Sequence, residues 1–342
     1  MKLQAEIVGR AGQRERVRGV GRRHRGMRDG IRPRGLIFSL LVMAATAANL
    51  LPLSATGSIV NFVNKMARKR RLACVTAALI IALGPSSAQA ITNGFPDTTN
   101  TFSNVGAVLV LTPDGQQSFQ LCSGTLIAPT VFLTVAHCAQ FFMQIFAPQG
   151  YSLYVSFDKL VPIAGLTNVS ALTPVAKIIP NPKYVFADHQ ILNPLHEGDS
   201  GDIAVLILPP MEIQPATLPT LGLLDQLAAK NGLHDAIFTA VGYGTEDKFG
   251  TQLNPVPRMF AFSGFSALEV GNLQLSINPN LNNGGDCRGD SGGPNLLQVN
   301  GKQVLMAIHS VGSDQVCRAT SGNYRLDTTT ARDFLKDFVA LP

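Results

Sequence analysis

The feature that most constrains the fold is the regular alternation of short apolar runs and turn residues after Ala90. Stretches of Val, Ile, Leu, Phe and Thr are interrupted about every 8 to 15 residues by Gly, Pro, Asn or Asp, as in antiparallel β structure. Val105–Leu111 and Phe119–Ile127 flank a turn at residues 113–115 and are predicted to form a hairpin. Val131–Val135 follows as the next strand, and the sequence predicts an all-β protein.

Two further patterns divide the chain and mark its end. Ile203–Leu208 is a continuous apolar run, too short for a stable helix, and is predicted to be a buried strand. The proline-rich stretch that follows, to about Leu221, is predicted to link halves at 91–215 and 216–342. Only the end of the chain has a helical pattern, a threonine cap followed by a one-sided apolar face, formed by Thr328, Thr329, Thr330, Phe334, Leu335, Phe338 and Val339.

The positive charge of the chain is confined to its first 90 residues. The formal net charge is +6, yet residues 1–90 carry 16 of the 28 Lys and Arg and only 3 of the 22 Asp and Glu. Residues 91–342 therefore carry 12 basic and 19 acidic side chains, a formal charge of −7. This distribution argues against nucleic acid or an anionic membrane as a partner of the C-terminal part.

Residues 66–90 have the pattern of a signal peptide. They read MARKRRLACVTAALIIALGPSSAQA, with a basic start, an apolar run over Leu72–Leu83, a Gly-Pro break and small residues at 88 and 90. The mature chain is therefore predicted to begin at Ile91 and to be secreted, into the extracellular space or a periplasm.

Residues 1–65 form an N-terminal extension with two readings. An Arg-rich opening precedes a second apolar stretch, Leu36–Leu53, whose length of about 18 residues approaches that of a membrane anchor. Two consecutive export segments are unusual, so we favour initiation near Met66, with the upstream residues a misassigned start. A membrane partner is expected only if Leu36–Leu53 is retained as an anchor.

Cysteine usage agrees with export. Cys74 leaves with the predicted signal peptide, and the four remaining cysteines allow three pairings into two bridges. Spacings of 16 and 30 residues favour Cys122 with Cys138 and Cys287 with Cys317. Zinc binding is the alternative, but no CxxC motif or histidine pair supports a metal site.

The stretch CRGDSGGP, residues 287–294, places Ser291 between an aspartate and two glycines. A serine hydroxyl becomes a nucleophile only with a base, which a third group orients. His137 is the best candidate base, because it lies in LTVAHC beside a cysteine that a bridge would fix. Asp202 opens the predicted buried strand and suits the role of the orienting carboxylate.

Four segments together resemble the trypsin-like serine endopeptidases, which have the chymotrypsin fold. They are CSGTLIAPTVFLTVAHC, DIAVLIL, GDCRGDSGGP and GNYRL, and the resemblance spans residues 91–342 in the order His, Asp, Ser. It implies two six-stranded antiparallel Greek-key β-barrels, with a C-terminal helix and the active site in the cleft between them. Protein or peptide substrates, proteinaceous inhibitors, acyl-enzyme chemistry and no cofactor are also implied.

The same resemblance assigns roles to single residues. His137 is expected to act as general base and then general acid, with Asp202 orienting it and Ser291 attacking the substrate. The backbone amides of Gly289 and Ser291 are expected to form the oxyanion hole. The resemblance also implies that Asp290 pairs with the freed amine of Ile91, which directly follows the predicted signal-peptidase site.

Specificity is less defined by the sequence. Trypsin has an aspartate six residues before its nucleophile, whereas here that place is Gly285 and the acid follows at Asp286. The resemblance implies further substrate-binding residues along the wall of the pocket, at Ser310, Val311 and Gly312 on one side and Gly322 and Tyr324 on the other. Preference for Lys or Arg before the scissile bond, or for a large apolar residue, remains open.

A catalytically idle homologue is the main alternative. Such a protein would bind partners through the same cleft or through an exposed loop. Retention of His137, Asp202 and Ser291 argues against it.

Overall fold

The structure is a computed structural model that describes residues 91–163, 172–185, 198–245, 253–312, 314 and 316–342. The predicted extension at 1–65 and signal peptide at 66–90 lie outside the described residues. Within the described ranges, no helix combines the length and apolar character needed to cross a bilayer.

The described residues form mainly antiparallel strands, which confirms the predicted all-β class. In chain order the strands are β1 (Phe95–Pro96), β2 (Val105–Leu111), β3 (Ser118–Ala128), β4 (Val131–Thr134), β5 (Ser152–Ser156), β6 (Leu160–Val161), β7 (Thr173–Pro174), β8 (Lys177–Pro180), β9 (Ala204–Ile207), β10 (Ile237–Gly242), β11 (Val256–Pro257), β12 (Met259–Leu268), β13 (Asn272–Ser276), β14 (Pro294–Val299), β15 (Lys302–Gly312) and β16 (Thr320–Arg325). The predicted β2–β3 hairpin and the predicted strand at β9 are both present.

The two halves differ in how far their sheets close. The second sheet has the order β1-β12-β10-β14-β15-β16-β13, and the additional β12–β13 pairing closes six of its strands into a barrel. The first sheet has seven strands in the order β7-β5-β2-β3-β4-β9-β8. No pairing between its outer strands is present in the described ranges, so this sheet is a half-barrel where a closed six-stranded barrel was expected. The double-barrel class itself is confirmed.

The core explains why these segments are strands. All seven residues of β2, which lies between β5 and β3 in the first sheet, are buried, and most of its apolar side chains belong to the main core cluster. Gly124 on β3 lets Phe132 of β4 pack against the backbone, since a Cβ at that position would lie 2.3 Å from the ring. The same core cluster continues into the second half through residues such as Leu305 and Tyr324.

The described residues contain three α-helices, α1 (Ala136–Phe141), α2 (Leu223–Ala229) and α3 (Thr329–Leu335). α3 confirms the predicted C-terminal helix, and the Thr328 side chain accepts a hydrogen bond from the Ala331 amide as its N-cap. α1 continues into a π-helical turn at Phe142–Phe146 and a 3₁₀ turn at 147–149. α1 and α2 were not predicted from the sequence.

A buried ion pair anchors the segment that leads into β2. Arg258 Nε lies 2.9 Å from Asp97 Oδ2, and both side chains are almost inaccessible to solvent. The same guanidinium donates to the carbonyls of Val105 and Phe157 and to the Asn100 side chain. β1 pairs with β12 next to this network, so the N-terminal segment is fixed to the second sheet.

Candidate active site

His137 lies just after β4, in the first turn of α1. Its Nδ1 atom is 2.8 Å from Asp202 Oδ2, and its backbone amide donates to Asp202 Oδ1 at 2.9 Å. The Cys122–Cys138 bridge joins α1 to β3, so the residue next to His137 is fixed covalently. Imidazole and carboxylate are therefore held together through both side chain and backbone.

Asp202 is buried two residues before β9 begins, close to the position that its place in the sequence predicted. Antiparallel pairing of β4 with β9 brings it to His137, because Thr134 is opposite Ala204. The Ser310 hydroxyl donates to Asp202 Oδ2 at 2.6 Å. With two side-chain contacts on Oδ2 and one amide on Oδ1, the carboxylate has a single orientation.

Ser291 lies in the tight turn before β14. Its carbonyl accepts from the Ser123 amide on β3 at 2.9 Å, which connects the turn to the first sheet. Gly292 follows with φ of +85°, and a Cβ there would lie 2.2 Å from the Thr134 hydroxyl. Only glycine fits at this position, and the close approach brings Ser291 to the sheet that carries His137.

Gly289 has a positive φ of 89°, which favours glycine. Its carbonyl accepts from Gln120 Nε2 at 2.7 Å and from the Ser123 hydroxyl at 3.1 Å. In the described part of the chain, neither the Gly289 nor the Ser291 amide donates to a protein acceptor. Sequence reasoning did not identify the supporting residues Gln120 and Ser123, although Ser123 lies in the quoted CSGTL segment.

A cavity of about 210 Å³ opens beside Ser291. Four expected substrate-binding residues line it: Asp286, Ser310, Val311 and Gly312. Arg288 and Asp314 also line it and were not predicted. Ser291 is part of the lining, so the candidate nucleophile lies at the wall of the cavity.

Gly285, Gly322 and Tyr324 were expected in this pocket but are not among its lining residues. Successive side chains of a strand point to opposite faces. On β16, Ser321 faces the pocket side, because its hydroxyl donates to the Asp286 carboxylate, and Tyr324 lies on the other face. The Tyr324 hydroxyl donates to Asp199 at 2.7 Å. Burial of the phenol raises its pKa most, and the negative charge of Asp199 raises it further.

Ile91 and Asp290 are both completely buried. Ile91 packs with Met259 and Ala261, and a two-way backbone bridge between Thr92 and Gly285 holds this segment against the second barrel. Asp290 accepts from the Gly244 and Cys287 amides at 2.7 and 2.8 Å.

The two disulfides are the pairs that the spacing favoured, Cys122–Cys138 and Cys287–Cys317. The sulfurs of the first bridge lie within 4.8 Å of a His137 ring nitrogen, an arrangement that could suggest a metal centre. Metal coordination requires thiolates, and these sulfurs are bonded to each other. The second bridge lies at the edge of the cavity beside Ser291.

Comparison with known proteins agrees with this arrangement. The profile of the family described as Trypsin matches residues 91–331, and the chain belongs to this family. CLIP domain-containing serine protease B15 of Anopheles gambiae is 28% identical over 214 residues, which cover 56% of this chain and 54% of that protein. The chain thus spans about half the length of this curated relative.

Proposed function

We propose that the protein is a secreted serine endopeptidase that hydrolyses peptide bonds through an acyl-enzyme. The observation that carries the proposal is the 2.8 Å contact between His137 Nδ1 and the buried carboxylate of Asp202, which Ser310 also contacts. A buried carboxylate at Nδ1 holds the imidazole in the tautomer whose Nε2 carries no hydrogen and can accept a proton. Ser291 and Ser310 line the same cavity, which supports Ser291 as the donor of that proton.

The geometry suggests the role of each group in the reaction. His137 takes the proton of the Ser291 hydroxyl as the serine attacks the substrate carbonyl, and then returns it to the leaving amine. The negative oxygen that forms is stabilised by the Gly289 and Ser291 amides. Water then attacks the acyl-enzyme, and His137 takes the proton of the water and returns it to the Ser291 oxygen. Protein or peptide chains are the proposed substrates, and the reaction uses no cofactor.

A fluorophosphonate probe tests this function directly. The native protein is expected to react with the probe at Ser291, located by mass spectrometry, whereas urea-unfolded protein is not. Cleavage of a peptide library should accompany labelling. A folded protein that is neither labelled nor active would instead be the catalytically idle homologue, acting as a binding protein.

We propose that removal of the signal peptide also activates the enzyme. Ile91 directly follows the Ala88-x-Ala90 pattern, so one cleavage would release the amine that pairs with Asp290. The burial of Ile91 and Asp290 supports this pair. N-terminal sequencing of the secreted protein is expected to begin at Ile91, and another first residue would refute this route.

The proposed pair predicts a loss of activity in alkali. An α-amino group has an ordinary pKa of about 8, and pairing with Asp290 raises that pKa. The pairing energy is therefore present at neutral pH and is lost as the pH rises through the raised pKa. We expect kcat/KM to fall between about pH 9 and 11 while circular dichroism still reports a folded protein. A flat profile over this range would contradict the pair.

The cavity predicts a preference for a cationic residue before the scissile bond. Asp286 and Asp314 both line it, against the basic side chain of Arg288, so the described lining has a net negative charge. Asp286→Asn is expected to lower kcat/KM for Lys and Arg peptides by about 10-fold to 100-fold, the worth of a hydrogen bond to a charged group. Peptides with Phe or Leu at the same place serve as the internal control. An unchanged ratio between the two peptide classes would favour the large apolar alternative.

A further inference from the structure

His309 is a buried histidine that the mechanism above does not use. It lies on β15 immediately before Ser310, and 1% of its surface is exposed. Its Nδ1 atom is 3.1 Å from the backbone carbonyl oxygen of Asp290. That carbonyl is in the turn that carries Ser291, so a titratable side chain of β15 contacts this turn.

The contact determines the protonation state of the ring. A carbonyl oxygen only accepts hydrogen bonds, so Nδ1 must carry a hydrogen. Burial disfavours the charged imidazolium and lowers the pKa of His309, although the Asp286 charge and the backbone of Asp290 and Pro294 act in the opposite direction. The neutral ring then has a bare Nε2 atom, and this atom has no hydrogen-bond partner in the described part of the chain. Geometry and burial therefore agree on the neutral Nδ1–H tautomer.

The accepting carbonyl belongs to the peptide unit whose amide is the Ser291 N–H. In a trans peptide the C=O and N–H point in opposite directions, so fixing one fixes the other. The Gly293 amide also donates to the Asp290 carbonyl, at 2.8 Å. Two donors on one carbonyl hold the peptide plane, and they polarise its N–H as a stronger donor.

The main chain of His309 holds the same loop. Its carbonyl accepts from the Gly292 amide at 2.8 Å, and its amide donates to the Gly293 carbonyl at 2.9 Å. A Cβ at Gly293 would meet the Val241 and Asp290 carbonyl oxygens and lie 3.0 Å from His309 Nδ1, so glycine leaves room for the backbone and for the imidazole. Backbone and side chain of His309 thus contact three residues of this turn, Asp290, Gly292 and Gly293.

We propose that His309 is a positioning residue that orients and polarises the Asp290–Ser291 peptide, so that the Ser291 amide stabilises the oxyanion. The role rests on the proposed function, because it acts on an amide assigned to the oxyanion hole. His309 touches neither substrate nor the reacting atoms, and it acts through the peptide bond that it holds.

The test compares His309→Leu with His309→Asn. The Asn amide nitrogen can replace Nδ1–H as donor, whereas Leu of similar size cannot. His309→Leu is expected to lower kcat and the rate of fluorophosphonate inactivation by about 10-fold, a fraction of the loss of a whole oxyanion donor. KM should stay within about twofold, because the Ser291 amide stabilises the carbonyl of the bound substrate less than it stabilises the oxyanion. His309→Asn should recover most of the loss, and His234→Leu, at an exposed histidine, should match the wild type.

Equal losses in the Leu and Asn variants, or a change confined to KM, would overturn the proposal. If both variants fail to fold, ¹⁵N spectra of the wild-type imidazoles still test it. His309, assigned separately from His137, is expected as a neutral Nδ1–H tautomer at pH 7, and finding it as Nε2–H or as imidazolium would refute the role. If the wild type does not react with the fluorophosphonate, the proposed function is wrong. The spectra then still test the hydrogen bond of His309.

Discussion

Asp202→Asn is expected to lower kcat by about 10⁴-fold if Asp202 orients His137 as proposed, while the protein remains folded. The carboxylate accepts from both the His137 ring and the Ser310 hydroxyl through Oδ2. An amide can present only one oxygen, and its NH₂ group would favour the wrong tautomer of the imidazole. The measurement is kcat on the best peptide substrate, with thermal unfolding to verify folding.

Asp235→Asn is the matched control for this prediction. It removes the same charge from a side chain that is 93% exposed. Its kcat is expected to equal that of the wild type. An Asp202→Asn enzyme that retained more than about a tenth of wild-type kcat would show that His137 needs no buried carboxylate, which would contradict the proposed mechanism.

Arg258→Met is expected to lower the free energy of unfolding by about 3–5 kcal/mol. Methionine fills much of the space but leaves the Asp97 carboxylate buried without its cation. It also leaves the carbonyls of Val105 and Phe157 without this donor. Urea unfolding measured by fluorescence or circular dichroism gives the free energy.

An exposed ion pair provides the control for the buried one. Lys336 and Asp333 lie 2.8 Å apart on the surface. Lys336→Met is expected to leave the free energy of unfolding close to that of the wild type, because solvent screens an exposed pair. Adding Asp97→Asn to Arg258→Met should recover part of the loss, because the uncompensated charge is removed. Equal effects of Arg258→Met and Lys336→Met would show that burial of the pair is unimportant.

Local sequence patterns predicted well the strands around Asp202 and the β2–β3 hairpin. The turn residues at 113–115 and the apolar alternation beside them define the β2–β3 hairpin. Because the apolar run at Ile203–Leu208 must be a buried strand, Asp202 at its start is necessarily near the core. Both inferences use short-range information, and the structure agrees with them.

Contacts between distant segments could not be read from the sequence. α2 begins where the Leu224 amide donates to Asp327, 103 residues away, so no local cap signalled this helix. Tyr324 was expected in the pocket, but its hydroxyl contacts Asp199, and Ser321 of the same strand meets Asp286. The β15–β16 pairing also shifts register between His309 and Val311. The sequence contains no marker for that irregularity. No sequence motif marked His309 either, because its hydrogen-bond partner is a main-chain oxygen.

The bridge between Cys122 and Cys138 has a practical consequence for recombinant production. The short helix with His137 is tied to its neighbouring strand by this bond, which a reducing cytoplasm does not allow to form. Material purified from such a host, or assayed with dithiothreitol, would lack this tether. Inactivity of that material would report on redox state, so expression belongs in an oxidising compartment.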